Sequence, residues 1–398
     1  MQDDVSVFEP YQTDILFLLI GSNPLPNFVA ALILARANAS LFLLHSEKTS
    51  KVADRLARRL TNARSDLNIM LYGINQADGP SIIRKIRDIV NEKVKQSQNQ
   101  RIGLNFTGGT KPMAAYAAMG IRQMYPKSIL SYLDARTLSL IVDEGDGTSM
   151  AIPVSRSVNC TLKDILDLHG YRILSSKRPR APLIASALSE IYYDPNARQQ
   201  WRDWIRAIPT NDKLPTISSH PLLKPVINAF ADVCSGAATE KGVAHAIGFD
   251  NLTQCTSYFI GGWLEVYTLS EINRIADQAG LAERYMSVKI MADKRPDFEI
   301  DLITVIGYQV FSISCIVSEN IDKAKEHLLE IFARAGQFGG EEARFALLTI
   351  TDLPDILEKE IREDWDAEGK IRVFGRNHIP ELSSHLLKWF QDANQEAS

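Results

Sequence analysis

Asp14-Ile-Leu-Phe-Leu-Leu-Ile20 is a continuous apolar run near the start of the chain. Apolar side chains without alternation are typical of a strand buried on both faces, as in a parallel sheet covered by helices. Further strand-like segments follow at 40–45, 67–73 and 101–106, each separated from the last by a helical pattern. This alternation predicts a doubly wound parallel sheet, in which ligands bind beyond the carboxyl ends of the strands.

The bulk composition narrows the class of protein. The chain has 398 residues, of which 45% are hydrophobic and 23% charged, as in a globular protein of two or more domains. Its net charge of −4 provides no general attraction for nucleic acid, so any such contact needs a local basic patch. The cysteines form no C-x-x-C pair, the N-terminus has no signal-like basic region, and the run Ile15–Ile20 is too short to span a membrane. These features predict a cytoplasmic protein that does not enter a membrane.

The pattern changes in the second half of the chain. A helical segment at 160–175 precedes a basic, proline-bearing linker at 176–182 and a mostly helical stretch rich in Trp and Arg. The order then becomes helix, strand, strand, helix, strand, at 262–276, 297–306, 308–317, 320–338 and 345–351. The sequence thus predicts an N-terminal α/β domain at 1–155, a helical connecting region at 156–240 and a second α/β domain at 241–398.

Two loops with unusual composition follow predicted strands. Gly21-Ser-Asn-Pro-Leu-Pro-Asn27 comes after the first strand, and Asn105-Phe-Thr-Gly-Gly-Thr-Lys-Pro-Met113 comes after the fourth. If the strand order reverses between these strands, both loops face one crevice. The second loop has neither the G-x-x-x-x-G-K spacing of a P-loop nor the G-x-G-x-x-G spacing of a dinucleotide site.

The chemistry of these loops suits an anionic, hydroxyl-rich ligand. Gly108 and Gly109 allow close approach of backbone amides, and the positive end of a helix that begins at Thr110 or Lys111 points to the same place. Thr107 or Thr110 can also serve simply as a helix cap. The predicted ligand-binding residues are Ser22, Asn23, Pro24, Leu25, Asn27, Asn105, Thr107, Gly108, Gly109, Thr110 and Lys111.

This pair of loops resembles the ligand signature of CARF domains, in particular those fused to a restriction-endonuclease-like domain in type III CRISPR immunity. The resemblance covers about residues 10–175. It implies a Rossmann-like sensor domain that forms a homodimer and binds a cyclic oligoadenylate, cyclic tetra-adenylate, across the two-fold axis. A two-fold ligand on a two-fold axis is physically reasonable, because each chain offers the same loops to half of the ring.

The second α/β region carries a row of acidic residues. Asp297, Glu299 and Asp301 alternate along a predicted strand, so their side chains share one face. The region resembles the PD-(D/E)XK nuclease fold, and Gly261-Gly-Trp-Leu-Glu265 is similar to that family's first helix. The resemblance implies that Glu265 and Asp301 hold Mg²⁺ or Mn²⁺ for cleavage of single- or double-stranded nucleic acid, activated by the cyclic tetra-adenylate.

The sequence departs from the nuclease pattern at one strand. Ile313-Ser-Cys-Ile316 places Ile316 at the family's lysine position and Ser314 at its acid position. Either a lysine has moved to the next helix, with Lys323 and Lys325 as candidates, or the domain has lost cleavage and kept a sensing or regulatory role. A third possibility is that the N-terminal half degrades its own messenger, by in-line attack of a ligand 2′-hydroxyl with Lys111 stabilising the developing charge.

Two other groups of residues are interpreted structurally. The seven histidines show no metal-binding spacing. Trp201 and Trp204 lie three residues apart in a helical pattern, which is more typical of a core than of a base-stacking platform.

Overall fold

The architecture is that of a computed structural model of the chain. The structure describes residues 5–93, 100–143, 145, 147–206, 221–234, 244–250, 252–292, 296–365, 367 and 369–395. No helix within these ranges combines the length and the apolar composition needed to cross a bilayer.

The first half of the chain forms a seven-stranded sheet. Its strands are β1 (Thr13–Ile20), β2 (Ala35–His45), β3 (Asn68–Gly73), β4 (Ile102–Asn105), β5 (Ile129–Asp134), β6 (Ser139–Asp143) and β7 (Ser149–Pro153). They are ordered β3-β2-β1-β4-β5-β6-β7. The first five strands are parallel, and β6 and β7 extend the sheet as antiparallel strands. The predicted parallel sheet is therefore confirmed.

Helices cover both faces of this sheet, which explains the unbroken apolar run of β1. The helices are α1 (Val5–Phe8), α2 (Leu25–Leu34), α3 (Ser50–Ala63), α4 (Gly79–Lys93), α5 (Lys111–Met124) and α6 (Leu162–His169). Leu16 and Leu18 pack in a core with α2, α3 and α6. Phe17 and Leu19 point the other way and pack in a core with α4 and α5.

The second half forms a six-stranded sheet with the order β13-β12-β11-β10-β9-β8. Its strands are β8 (Tyr171–Lys177), β9 (Glu283–Ala292), β10 (Phe298–Ile306), β11 (Gln309–Ile316), β12 (Arg344–Thr349) and β13 (Ile371–Phe374). The helices are α7 (Pro182–Tyr193), α8 (Pro195–Arg206), α9 (Lys224–Cys234), α10 (Leu252–Ser257), α11 (Trp263–Arg274), α12 (Ala276–Ala279), α13 (Ile321–Gly339), α14 (Pro354–Trp365) and α15 (Leu382–Gln395). The pairs β8–β9, β9–β10 and β10–β11 are antiparallel. The pairs β11–β12 and β12–β13 are parallel.

Several predicted elements of this half are wrong or incomplete. The helix expected to reach residue 175 ends at His169, and the expected linker contains β8 to Lys177. Tyr171 starts this strand because its buried ring packs against Phe298 and Phe338. Strands β9 and β13 were not predicted, since the charged residues of β9 interrupt its apolar alternation. Of the predicted helical stretch, residues 207–220 and 235–237 lie outside the described residues.

The helical middle region packs on the second sheet. Trp201 and Trp204 are buried and stacked, with ring centroids 4.9 Å apart, and they share a core with Trp263 of α11. The prediction that these tryptophans are core residues is confirmed.

The two halves of the chain share a hydrophobic core. Leu18 of the first sheet and Val305 and Phe338 of the second half belong to one contiguous apolar cluster. The backbones of the two halves are also in contact, because Cys160 N donates to Gly307 O at 2.8 Å. A Cβ at Gly307 would lie 2.0 Å from Ser155 O, so only glycine fits this turn. The two halves of the chain therefore pack directly against each other through a common core.

Candidate ligand cleft and acidic site

The loops after β1 and β4 line one cleft. Because β1 lies between β2 and β4, the strand order reverses at the β1–β4 pair and the carboxyl ends of these strands open a crevice. The crevice holds a cleft of about 590 Å³, a size typical of small-molecule sites. Five of the predicted ligand-binding residues line it: Ser22, Asn23, Thr107, Gly108 and Gly109.

Glycines bring the two loops into backbone contact. A Cβ at Gly108 would lie 2.2 Å from Leu19 O and 2.7 Å from Gly21 N, which is closer than real Cβ contacts come. Gly109 adopts a left-handed conformation with φ of +83°, which costs glycine little. The main chain itself therefore forms the floor of the cleft, without a side chain over it.

Helix α5 begins directly beside this floor. Thr110 is its N-cap, and Thr110 Oγ1 accepts a hydrogen bond from Met113 N at 3.4 Å. Lys111 and Pro112 form the exposed first turn, where a missing proline N–H costs nothing. The positive end of the helix dipole and the Lys111 charge thus lie next to Gly109, although Lys111 is not itself in the cleft lining.

Other predicted ligand residues are buried supports. Asn27 Nδ2 donates to Leu19 O at 3.1 Å, and Asn105 Oδ1 accepts from the Thr107 hydroxyl at 2.8 Å. Both asparagines are fully buried, as is Leu25, and Pro24 is buried as well. These four residues shape the loops from beneath and do not line the cleft.

Part of the cleft comes from segments that the sequence analysis missed. The rings of Phe106 and Tyr132 lie 5.5 Å apart and both line the cleft. Asp134, the last residue of β5, and Arg136, in the turn that follows, line it as well. The signal in the sequence was weak, because only the strand order places the end of β5 beside the end of β4.

The second half of the chain also reaches the cleft. Asn23 Nδ2 donates to Glu342 Oε2 at 2.8 Å, and His169 Nε2 lies 3.1 Å from Asn23 Oδ1. Burial raises the pKa of Glu342 to about 7 and lowers the pKa of His169 to about 4. A residue of the first loop is therefore hydrogen-bonded directly to the segment that follows α13.

A second cluster surrounds Asp301 and Glu265. Asp301 Oδ2 accepts from Cys315 N at 2.7 Å and from the Ser314 hydroxyl at 3.0 Å. Glu265 Oε2 accepts from the Ser287 hydroxyl at 2.8 Å. Burial, and next the charge of Asp301, raise the pKa of Glu265 to about 7, and burial raises the pKa of Asp301. Both residues are partly buried, and the charge of Asp301 acts on Glu265.

Ser314 connects this cluster to α13. Its hydroxyl lies 3.4 Å from His327 Nδ1, so His327 joins a site in which the sequence analysis did not include it. Ile316 lies on the same face of β11 as Ser314 and packs with the apolar side of α13. Ile316, at the lysine position of the nuclease pattern, therefore makes an apolar contact and provides no positive charge.

The two candidate lysines, Lys323 and Lys325, lie on different sides of α13. Lys323 and His327 are four residues apart on α13 and so share one helix face. Lys325 Nζ instead pairs with Glu360 at 2.5 Å, and this hydrogen bond raises the pKa of Lys325. Lys325 is therefore directed toward α14, away from Asp301.

The remaining acidic residues of the row have other partners. Glu299 pairs with Lys177 at 2.8 Å, and Asp297 Oδ2 lies 3.6 Å from Lys289 Nζ. Both pairs are solvent-accessible and are expected to contribute little to stability. Of these three residues, Asp301 is partly buried, whereas Asp297 and Glu299 are exposed.

The donor set fits one kind of metal ion. Within the described ranges, no three His, Cys, Asp or Glu side chains are arranged to hold a metal ion. Glu265 and Asp301 nevertheless supply two carboxylates, and Mg²⁺ commonly binds through one or two carboxylates while keeping several waters. Burial, and next the charge of Asp301, raise the pKa of Glu265, and a divalent cation bound there would favour its ionised form.

Comparisons with known proteins find the same fold. No family model matches the chain, and no curated protein matches it. The structure of Can2 from Sulfobacillus thermosulfidooxidans in complex with cyclic tetra-adenylate has a TM-score of 0.71 at 17% identity, covering 98% of this chain and 99% of that chain. The crystal structure of protein VC1899 from Vibrio cholerae has a TM-score of 0.69 at 16% identity, covering 96% and 99%. The whole two-sheet architecture is thus shared with these proteins.

Proposed function

We propose that the first half of the chain binds a cyclic oligoadenylate, with cyclic tetra-adenylate as the ring. The observation that carries this proposal is the cleft whose floor is the main chain of Gly108 and Gly109, at the start of α5. The similarity in fold to Can2, whose structure contains cyclic tetra-adenylate, supports it.

Each part of the cleft has a role in this proposal. The main-chain floor and the positive end of α5 bind phosphates, and Lys111 adds charge at the rim. Phe106 and Tyr132 offer aromatic surface on which adenine stacks. Arg136 and the Ser22 hydroxyl, which also line the cleft, provide hydrogen-bond donors.

The ring binds across a homodimer in this proposal. A cleft open on one side can hold part of a cyclic tetranucleotide, and a second copy related by a two-fold axis contacts the other part with the same residues. The rim lysine is therefore used twice for each ring.

A pair of lysine variants tests the ligand site. Lys111 and Lys127 are both exposed and lie near opposite ends of α5. Lys111→Gln is expected to weaken cyclic tetra-adenylate binding about tenfold, as for the loss of a hydrogen bond to a charged group, whereas Lys127→Gln leaves it unchanged. Equal affinities for both variants in a fluorescence titration would reject the site.

We further propose that the second half is a metal-dependent nuclease. Glu265 and Asp301 would hold Mg²⁺ or Mn²⁺, which when bound activates water and neutralises charge on the phosphate. The Cys315 amide and the Ser314 hydroxyl keep Asp301 oriented. Lys323, on the helix face shared with His327, supplies the positive charge that Ile316 cannot.

Helix α13 supplies a route between the two sites. Its 19 residues run from Ile321, near the acidic cluster, to Gly339, shortly before Glu342. A helix of this length spans about 28 Å as a rigid element. A ring that displaces Asn23 from Glu342 would bias the position of α13, and with it Lys323 and His327.

Cleavage assays test the nuclease proposal. The full chain is incubated with single- or double-stranded DNA or RNA and Mg²⁺ or Mn²⁺, with and without the ring. We expect ring-dependent cleavage that Asp301→Asn abolishes, whereas Asp297→Asn, in the exposed pair with Lys289, leaves it intact. Cleavage that persists in Asp301→Asn would exclude this site.

The second candidate function is a messenger sensor without cleavage. Ser314 and Ile316 favour it, because they remove an acid and a lysine from the nuclease pattern. In that case the wild type binds the ring but cuts nothing. Gain of cleavage in Ile316→Lys, with none in the wild type, would identify the natural domain as inactive.

A further inference from the structure

A second concave surface lies on the first half of the chain, away from the ligand cleft. It has a volume of about 290 Å³ and is lined by Arg55, Arg58, Arg59 and Asn62 of α3 and by Lys163 and Asp167 of α6. We call it the arginine cleft.

Its positive charges are only partly balanced. Arg59 pairs with Asp164 and lies 3.9 Å from Asp167, and Lys163 Nζ lies 2.6 Å from the same Asp167. Among the residues that the structure describes, no carboxylate oxygen lies within ion-pair distance of Arg55 or Arg58. The four cationic side chains thus have three neighbouring carboxylates, those of Asp54, Asp164 and Asp167, which leaves an excess of positive charge.

Arg55 is held in place by the backbone of α6. Its Nε donates to Leu168 O at 2.9 Å, and its guanidinium lies against Gly170. A Cβ at Gly170 would come within 3.3 Å of Arg55 Cζ, and the φ of +81° also favours glycine there. Burial, and next the charge of Arg58, lower the pKa of Arg55. A partly desolvated guanidinium is therefore fixed beside another cation, an arrangement that a bound anion stabilises.

We propose that the arginine cleft binds a phosphate monoester, such as the terminal phosphate of a sugar phosphate or nucleotide. A monoester carries about two negative charges near neutral pH, which are opposite in sign to the excess charge of the cleft. Planar guanidinium groups suit phosphate oxygens because two N–H groups bind at once. The volume is about half that of the ligand cleft, so it accommodates a phosphate with a sugar and not a tetranucleotide ring.

The arginine cleft and the ligand cleft have no lining residue in common, so phosphate binding in one can be tested independently of ring binding in the other. Titration calorimetry at low salt uses ribose 5-phosphate, inorganic phosphate and ribose as three separate probes with the full chain. We expect ribose 5-phosphate to bind and ribose to give no heat. Inorganic phosphate that binds equally well would assign the site to the free ion and overturn the monoester.

One arginine variant and two lysine variants make the test specific. Arg58 and Lys51 are both exposed on α3, but only Arg58 lines the arginine cleft. Arg58→Gln is expected to weaken ribose 5-phosphate binding about tenfold, with Lys51→Gln and Lys111→Gln within twofold of the wild type. Binding that is lost in Lys111→Gln instead, or unchanged in Arg58→Gln, would overturn the proposal. Arg58 is exposed, and within the part of the chain that the structure describes its side chain bonds only Asp54 O of its own helix, so thermal unfolding should be unaltered and serves as the folding control.

Discussion

At the scale of single residues, Gly108 determines how closely the two ligand loops approach. Its hydrogen in place of a Cβ lets Leu19 O, Gly21 N and Asn27 Oδ1 come within 2.2–2.9 Å of the position that a Cβ would occupy. Asn27 then reaches Leu19 O from below and fixes the first loop. The floor of the cleft is thus a property of backbone packing, and the side chains around it are attached to a rigid base.

We expect Gly108→Ala to lower the free energy of unfolding by about 1–3 kcal/mol, because the loops must separate to admit a methyl group. Chemical denaturation followed by circular dichroism measures this loss. The control is Gly336→Ala, since Gly336 lies inside α13 with open space around the added methyl group. That variant should be as stable as the wild type or slightly more stable. Equal stability of Gly108→Ala and wild type would contradict the packing described for the floor.

Glu342 and His169 have opposite effects on the pH dependence of stability. Because burial raises the pKa of Glu342 from 4.5 to about 7, the folded chain retains a proton that the unfolded chain releases. Its contribution to the free energy of unfolding therefore falls as pH rises between these values. His169, whose pKa falls from 6.5 to about 4, contributes stability that rises with pH between those values.

Glu342→Gln removes only the first of these two effects. The stability of this variant relative to the wild type is therefore expected to increase as pH rises from about 5 to about 7. Urea denaturation at several pH values within that range provides the comparison. Parallel pH profiles for the two proteins would show that Glu342 is ionised in the folded chain.

At the scale of elements, α13 leads from the acidic cluster to the segment that lines the ligand cleft. Its N-cap Asn320 accepts from Asp322 N and Lys323 N, which fixes the start of the helix close to β11. Its far end leads through Gly340 to Glu342, and Gly340 lies directly against the Asn23 side chain. Movement of this helix as a rigid rod would change both sites together.

Lys323 and Lys325 give a matched test of this helix. Under the nuclease proposal, Lys323→Ala should reduce ring-dependent cleavage about a hundredfold, as for the loss of a charge-stabilising group at a reacting centre. Lys325→Ala removes a charge from the same helix turn but from the side facing Glu360, so activity should remain within a few-fold of wild type. The reverse order in single-turnover rates would place the catalytic charge at Lys325.

The elements that could be predicted from sequence are those with local signals. The unbroken apolar run of β1, the Thr110 cap and the paired loops each depend on neighbouring residues only. Strand β8 was missed because its place depends on Tyr171 packing against Phe298 and Phe338, far along the chain. Arg136, Glu342 and His327 were missed for the same reason, since strand order and the contact between halves bring them to their sites.

At the scale of the whole molecule, the two halves are joined by a continuous core and by β8, which leaves the first half to pair with β9. The cleft itself includes Glu341 and Glu342 from the second half. A ligand bound there contacts both halves at once, so its binding energy can be transmitted without a flexible hinge.

We expect the chain to unfold in one cooperative transition. All five tryptophans lie beyond residue 200, so their fluorescence reports only on the second half, whereas far-ultraviolet circular dichroism reports on both. The two signals should give the same midpoint in urea, because the shared core couples the halves. Separate midpoints would mean that the halves fold independently and that the core between them contributes little.

Calorimetric titration of the full chain with cyclic tetra-adenylate is the most direct test of the central claim. The account predicts saturable heat with one ring for every two chains, and much weaker binding of linear tetra-adenylate. The absence of heat with this ring and with rings of other sizes, or a stoichiometry of one ring per chain, would contradict it.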